Sequence, residues 1–331
     1  VYFDLARTFC YPWIMEKGLS AGIPLKLSPS TIVIERGSLE QTFEQILLDL
    51  HQAEDLFTEK EFTAEDSKYM TKLGVQALLA RVYLYKQDWK NALAYAKKVI
   101  SILSEDHLMP TNNYIFSDYT SESILTLQIN NENSTGSNGL GAQFDFRLGG
   151  QGDVLATGSF IKLLSVYAGD PRAKLLVIDK EGNQAAFVKY INRSGGAGLS
   201  IHNIPVIRLS EIFLIAAESS LMQSDNNQAR DYLNSLIKRR TTDFQQNMAK
   251  ENGGELMERI SQERRKELAL EGHEIYDIIR LGKSLERNQN EHVNTGLSRE
   301  NLSFPSFSPK MIYPIPAEEI VASGMEQTKG Y

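Results

Sequence analysis

LLARVYLYKQDWKNALAYAKKV, residues 78–99, sets small and aromatic side chains at helical spacing. Ala80 and Ala92 stand twelve positions apart, with Tyr83, Trp89 and Ala96 in the same pattern. This arrangement predicts two antiparallel helices, over 68–86 and 89–103, which approach closely through their alanines while aromatic rings fill the gaps.

A second stretch, IFLIAAESSLMQSDNNQARDYLNSLIKRR (212–240), repeats the spacing at Ala217 and Ala229, and Leu233 and Leu236 continue the buried face. Both resemble tetratricopeptide repeats. QTFEQILLDLHQAEDLF (41–57) reads as one helix of a degenerate unit, with Ser38 and Gln41 placed for a capping box. Further helices are expected over 1–14, 158–168, 208–223, 226–240, 254–271 and 273–281. The expected organisation is a single domain of four parts. Helical repeats occupy 1–110, a loop-rich insertion 111–206, a repeat with signature helices 207–284, and a surface-wrapping tail 285–331. In the insertion, SILTLQIN (123–130) alternates Leu125, Leu127 and Ile129 as a strand does. NNENSTGSNGLGAQFDFRLGGQGD (130–153) and NRSGGAGLSIHNIP (192–205) are rich in Gly and Asn. Loops this long inside a compact domain usually carry function.

The 331 residues carry a net charge of −7. That argues against sequence-independent nucleic-acid binding, which needs a basic surface. Cys10 is the one cysteine, so no intrachain disulfide forms, and it is read as a buried thiol. The chain begins at Val1 inside a helical pattern and is read as N-terminally truncated, with any targeting signal upstream. The glycine clusters fit neither a phosphate loop nor a dinucleotide turn, and the five histidines are scattered. No cofactor, metal site or catalytic residue is expected.

ERRKELALEGHEIYDIIRLGK (263–283) holds twelve charged or titratable side chains. Glu263, Glu267 and Glu271 follow i, i+4, i+8 spacing on one expected helix face. Glycoside hydrolysis needs two carboxylates about 5 to 10 Å apart across a cleft, and two on one helix do not flank a sugar. Arg264, Arg265 and Arg280 are near in sequence and are expected to keep these groups ionised, where a general acid needs a raised pKa. A structural network is therefore expected, with Gly272 as a hinge and Asp277 and Arg280 as an i, i+3 pair. Ligand contact is expected from aromatic rings and amides in or near loops: Tyr11, Trp13, Tyr119, Asn131, Phe144, Phe146 and Arg147.

Taken in order, these segments resemble the SusD/RagB family. IPVIRLSEIFLIAAESS (204–220) is similar to that family's Arg-x-x-Glu-x-x-Leu-x-x-Ala-Glu helix, here Arg208, Glu211, Leu214, Ala217 and Glu218. The stretch from Glu263 through Arg264, Glu267, Glu271, Gly272, Asp277 and Arg280 resembles its Glu-Arg-Arg signature. YPIPAEEIVASGMEQTKGY resembles its closing motif, ending in Gln327, Gly330 and Tyr331, though the usual Asn-Pro pair before the glutamine is absent. The resemblance implies a mostly α-helical SusD-like fold and a non-enzymatic lipoprotein on the outer-membrane surface. Such a protein carries a signal peptide and a lipid anchor outside this chain. It captures oligosaccharide and passes it to a SusC-like TonB-dependent transporter. The rival readings are a tetratricopeptide-type peptide-binding adaptor and a glycoside hydrolase.

Overall fold

The computed structural model describes residues 1–29, 33–58, 60–114, 119–144, 150–178, 185–190, 201–292, 295–296 and 298–331. In chain order the helices are α1 (Tyr2–Phe9), α2 (Trp13–Glu16), α3 (Leu39–Leu56), α4 (Lys72–Tyr85), α5 (Trp89–Ile102), α6 (Leu140–Phe144), α7 (Gly158–Leu164), α8 (Leu209–Met222), α9 (Asn226–Lys238), α10 (Phe244–Asn247), α11 (Gly253–Glu267), α12 (Glu274–Arg280) and α13 (Ala317–Ser323). The strands are short and antiparallel: β1 (Ser123–Leu127) with β4 (Ile204–Arg208), β2 (Leu176–Ile178) with β3 (Ala185–Phe187), and β5 (Leu285–Glu286) with β6 (Ser303–Phe304). The fold is mostly α with minor β, as the sequence predicts. The chain packs as two compact units. One comprises Val1–Leu56, Arg81–Asp88 and Gly272–Tyr331; the other comprises Phe57–Ala80 and Trp89–Glu271.

The second unit is organised on α8. Its sequence carries apolar residues on every side, with Ser210, Glu211, Glu218, Ser219 and Ser220 buried among them, and such a helix belongs in a core. Every residue from Leu209 to Leu221 is buried, and the helix packs against α5, α9 and α11. Ala92, Ala217 and Ala229 are fully enclosed, so the twelve-residue alanine spacing does mark the close approaches. The Asp225 carboxylate caps α9 by accepting from Gln228 N at 3.0 Å.

Three expectations need correction here. The first predicted helix, 1–14, stops at Phe9 because Cys10 is extended and Pro12 disfavours helix at the residue before it. The predicted start of α4 at 68 moves to Lys72, since Ala64–Lys68 forms a separate 3-10 turn closed by a Thr63–Asp66 capping box. Strand β1 forms where expected, but its buried residues are Ser123, Ile124 and Thr126, while Leu127 is exposed. Thr126 takes that side because its hydroxyl accepts from Ser67 Oγ at 3.3 Å in a buried position.

In the first unit the closing segment is bound to α1 by named groups. Tyr313 N donates to Thr8 O at 2.9 Å, and Thr328 Oγ1 donates to Phe9 O at 3.1 Å. The Gln327 amide behaves as a short strand: its Oε1 accepts from Ile315 N at 2.9 Å while its Nε2 donates to Ile315 O at 3.0 Å. Tyr331 Oη donates to the carbonyls of Pro309 and Ile312 at 2.8 and 2.6 Å. Gly330 has φ +102°, and a Cβ there would fall 2.9 Å from Pro309, so glycine is required twice over. Gln327→Leu keeps the volume and removes the paired amide. It is expected to cost about 1–3 kcal/mol and to lower hydrogen-exchange protection at the Ile315 amide; unchanged protection would show that the amide pairing is not what holds this segment.

Candidate functional site

The charged side chains of the second unit converge on one buried carboxylate. Glu267, on α11, has no exposed side-chain surface. Its Oε1 accepts from Arg208 Nη1 and Arg240 Nη2, each at 3.0 Å. Its Oε2 accepts from Arg240 Nε at 2.9 Å and Arg172 Nη1 at 3.1 Å. Glu263, one turn earlier, accepts from Arg172 Nη2 at 2.7 Å, Lys266 Nζ at 2.8 Å and Tyr167 Oη at 2.8 Å. Glu122 bridges Arg240 and Arg208 at 2.6 and 2.8 Å. Asp170 grips Arg172 at 2.7 Å, and Glu271 takes Lys189 and Arg208, each at 2.6 Å. Arg172, Lys189, Arg208, Arg240 and Lys266 thus face Glu122, Asp170, Glu263, Glu267 and Glu271, so the buried charges balance.

The position of each partner follows from the fold. Arg208 ends β4 and precedes α8, opposite Ser123 of β1, which brings it beside Glu122. Arg240 follows α9, and Arg172 lies in the 3-10 turn Pro171–Leu175. The nearby cations expected from the sequence are not the principal ones: Arg172, Arg208 and Arg240 hold Glu263 and Glu267, and Arg280 pairs with Asp277 at 2.7 Å in the first unit. The i+8 expectation for Glu271 also fails, because α11 ends at Glu267. Arg208 Nη2 takes the Glu267 carbonyl at 2.8 Å, Lys189 Nζ the Ala269 carbonyl at 2.7 Å and Tyr190 Oη the Leu270 carbonyl at 2.8 Å. These donors satisfy the open helix end, and Leu270 turns to φ +64°. Gly272 follows at φ +74°.

The charge states follow from this geometry. Burial alone would push the Glu263 carboxyl up, but the Arg172 guanidinium and the Lys266 ammonium bring it down to about 2. Burial likewise opposes ionisation of Glu267, and Arg240 and Arg208 outweigh it, holding the carboxyl well below its usual range. Burial pushes Lys189 and Lys266 down to about 8, with Glu271 and Glu263 respectively pulling the other way. Ionised, enclosed and fully bonded carboxylates are unsuited to protonating a leaving group.

Next to the network lies a cluster of mostly buried rings, with an exposed amide-rich turn beyond it. Tyr190 stacks toward His202 at 5.2 Å and toward Phe144 at 6.0 Å; Phe187 lies 6.5 Å from Phe144 and 5.8 Å from Phe160. His202 Nε2 accepts from Gly141 N at 3.3 Å, and Asn203 Oδ1 accepts from Ile129 N at 3.0 Å. These bonds fix both ends of the exposed Asn-rich turn. Within it Asn130 Oδ1 accepts from Glu132 N at 2.9 Å, and Asn133 Nδ2 donates to Gln128 O at 2.9 Å. Asn131 is exposed and makes no side-chain bond among the described residues.

The ligand residues expected from the sequence divide between the two units. Tyr119, Asn131 and Phe144 belong to the second unit, and Tyr11 and Trp13 to the first. Phe146 and Arg147 lie outside the described residues. Phe144 is half-buried against the Phe160–Leu164–Phe187 cluster. Tyr11 donates to Lys329 O at 2.7 Å, and Trp13 packs edge-on to Phe43 at 5.6 Å under Lys86 Nζ. Both serve packing in the first unit. The sequence reading missed Glu122, Asp170, Arg172, Lys189 and Arg240, which no spacing links to the Glu263–Glu271 stretch, and His202 and Asn203, whose only signal was their place at the end of a Gly-rich run.

Comparison with known proteins decides the family. A model of the SusD family matches residues 183–331, and a model described as starch-binding associating with the outer membrane matches residues 1–84. A crystal structure of a candidate sugar-binding protein from Bacteroides vulgatus is 30% identical over 100% of this chain and 74% of its own, with TM-score 0.84. The chain belongs to the SusD family. A SusD superfamily protein from Bacteroides thetaiotaomicron is 29% identical, with coverage of 99% and 75% and TM-score 0.85. A laminarin-binding SusD-like protein, 20% identical with TM-score 0.62 and coverage of 100% and 76%, shares the fold. A comparison with curated protein sequences returns no match. Glu263, Glu267 and Glu271, which lie in the stretch that resembles the family's Glu-Arg-Arg motif, are carboxylates of the buried network.

Removing one member of a buried ion cluster leaves the others uncompensated, so Glu267→Gln is expected to lower unfolding free energy by about 3–5 kcal/mol in urea denaturation. The pH dependence has a definite sign. The Glu263 pKa is depressed from 4.5 to about 2, so its contribution is complete above 4.5 and is lost as pH falls towards 2. Stability should fall across that window, and Glu263→Gln should flatten the fall; an equally steep profile in the variant would contradict the assignment.

Proposed function

We propose that this SusD-family chain binds oligosaccharide through the loop-rich face of its second unit, without catalysis, and passes it to a SusC-like TonB-dependent transporter. The observation that carries the reading is the exposed Asn-rich turn held at both ends by Asn203 and His202, near the half-buried Phe144 ring that the buried Tyr190 and Phe187 support. Amide groups pair with sugar hydroxyls, and rings offer apolar faces to sugar C–H groups. The turn is preorganised by its own Asn130 and Asn133 bonds, which reduces the entropy lost on binding. Tyr119, Asn131 and Phe144 are the proposed contacts among the described residues, with Phe146 and Arg147 from the same insertion.

The family description, starch-binding associating with the outer membrane, supports a place at that membrane. We assign the protein to its outer surface as a lipoprotein of SusD type. No helix among the described residues is long and apolar enough to cross a membrane. Laminarin binding by the SusD-like protein that shares the fold supports a glucan as the first ligand to try. Affinity electrophoresis on gels containing laminarin, starch or xylan provides the test. Retardation by at least one glycan is expected, weakened about threefold to tenfold by Asn131→Ala at unchanged melting temperature. No retardation on any of the three gels, or an Asn131→Ala variant retarded as strongly as the parent, would contradict the proposed site.

A further inference from the structure

The first unit contains a groove of about 530 Å³ that the glycan reading does not use. It lies between α1, the segment around Ile23 and Pro24, and α13 with its flanks. Leu5, Phe9, Ile23, Pro24, Ile315 and Met325 supply an apolar lining, joined by Arg36, Glu318 and Glu319. A volume of this size lies within the range of pockets that accommodate ligands, about 300–1,000 Å³. Leu5 is 37% exposed, and Tyr313, whose ring meets Phe9 at 6.4 Å, is 66% exposed.

The chemistry of the lining narrows the occupant. Arg36 is already committed: Nε donates to Gly22 O at 2.8 Å, Nη1 to Glu326 O at 3.2 Å and Thr328 Oγ1 at 3.1 Å, and Nη2 to Ala21 O at 3.3 Å. Its charge serves to hold the closing segment. Glu318 and Glu319 are exposed and form no side-chain hydrogen bond or ion pair among the described residues. The groove therefore offers apolar contact and free negative charge. A sugar needs many matched donors and acceptors, and among the described residues the lining has no Asn, Gln, Ser, Thr or Trp. An anionic lipid surface is repelled by the two carboxylates. A second copy of a chain with net charge −7 is disfavoured for the same reason. What fits is an apolar side chain next to a cation.

We propose that this groove receives a polypeptide segment of a partner protein, with one large apolar side chain entering between α1 and α13 and an adjacent Lys or Arg pairing with Glu318 and Glu319. Apolar anchoring supplies affinity, and the charge pairing supplies orientation and faster encounter. Pro24 and Pro316 lack backbone donors, so recognition works through side chains and not by adding a strand. The proposal does not depend on glycan binding by the second unit.

Fluorescence anisotropy with three labelled peptides tests it: a Leu-Phe core flanked by lysines, the same core flanked by glutamates, and a Ser-Ser core flanked by lysines. The lysine-flanked Leu-Phe peptide should bind at least about tenfold more tightly than the other two, and more weakly as salt rises from ~0.05 to ~0.5 M. Glu318→Gln with Glu319→Gln should weaken it about tenfold and abolish the preference over the glutamate-flanked peptide. Leu5→Gln, at an independent position, should weaken both Leu-Phe peptides. Equal binding of all three peptides, or no binding at about 1 mM, would overturn the proposal. So would loss of glycan retardation in the Glu318/Glu319 variant, which would make the groove a sugar site, or self-association of the chain through it. If no glycan is ever retained but the peptide preference holds, the glycan reading fails and this one stands.

Discussion

A single buried carboxylate that accepts from three arginines is the constraint around which the second unit is arranged. Glu267 cannot be enclosed without compensating charge, because an ionised carboxylate loses several kcal/mol of hydration on burial. Arg172, Arg208 and Arg240 provide that charge, and each must then be satisfied in turn by Asp170, Glu271 and Glu122. The requirement propagates outward until positive and negative groups balance. It joins the β1–β4 pair, the end of α9, the Pro171–Leu175 turn and α11 at one point, next to the buried α8. Such a centre adds specificity of arrangement as much as stability, since only one packing pairs every charge.

The network also determines what surrounds it. The last turn of α11 ends where Arg208, Lys189 and Tyr190 take its carbonyls. Lys189 and Tyr190 follow directly on β3, and the Tyr190 ring continues into the row with His202 and Phe144. The groups that close the helix thus also anchor the segment bordering the amide-rich turn. The structural role of these carboxylates and the binding role proposed for the neighbouring loops rest on one arrangement.

How much of this the sequence revealed depended on how local the cause was. The alanines at 92, 217 and 229 report helix contacts through a fixed periodicity, so the helical architecture was readable. The Ser38–Gln41 capping box was readable for the same reason, and both of its bonds form. The partners of Glu267 were not readable, because they lie 27, 59 and 95 residues away and no spacing rule links them. The wrong partners were chosen from nearness in sequence alone. Glu271 was misplaced because helical spacing carries no information about tertiary donors that end a helix early. The strand at 123–127 was visible, but its inward face was decided by a buried Ser67–Thr126 bond that outweighed the leucine alternation. For the ligand face, residue type indicated a binding chemistry, while the fixing of the turn by Asn203 and His202 depends on the fold.

The most direct test of this account is a side-chain carboxyl NMR titration of Glu263 and Glu267, performed with and without a retained glycan. The account predicts that both carboxylates stay ionised through the ordinary acidic range, Glu263 titrating only near pH 2, and that neither signal moves when glycan is added. Titration of either group near neutrality, or a shift of either on glycan binding, would contradict a permanently ionised structural network and return these residues to the ligand site.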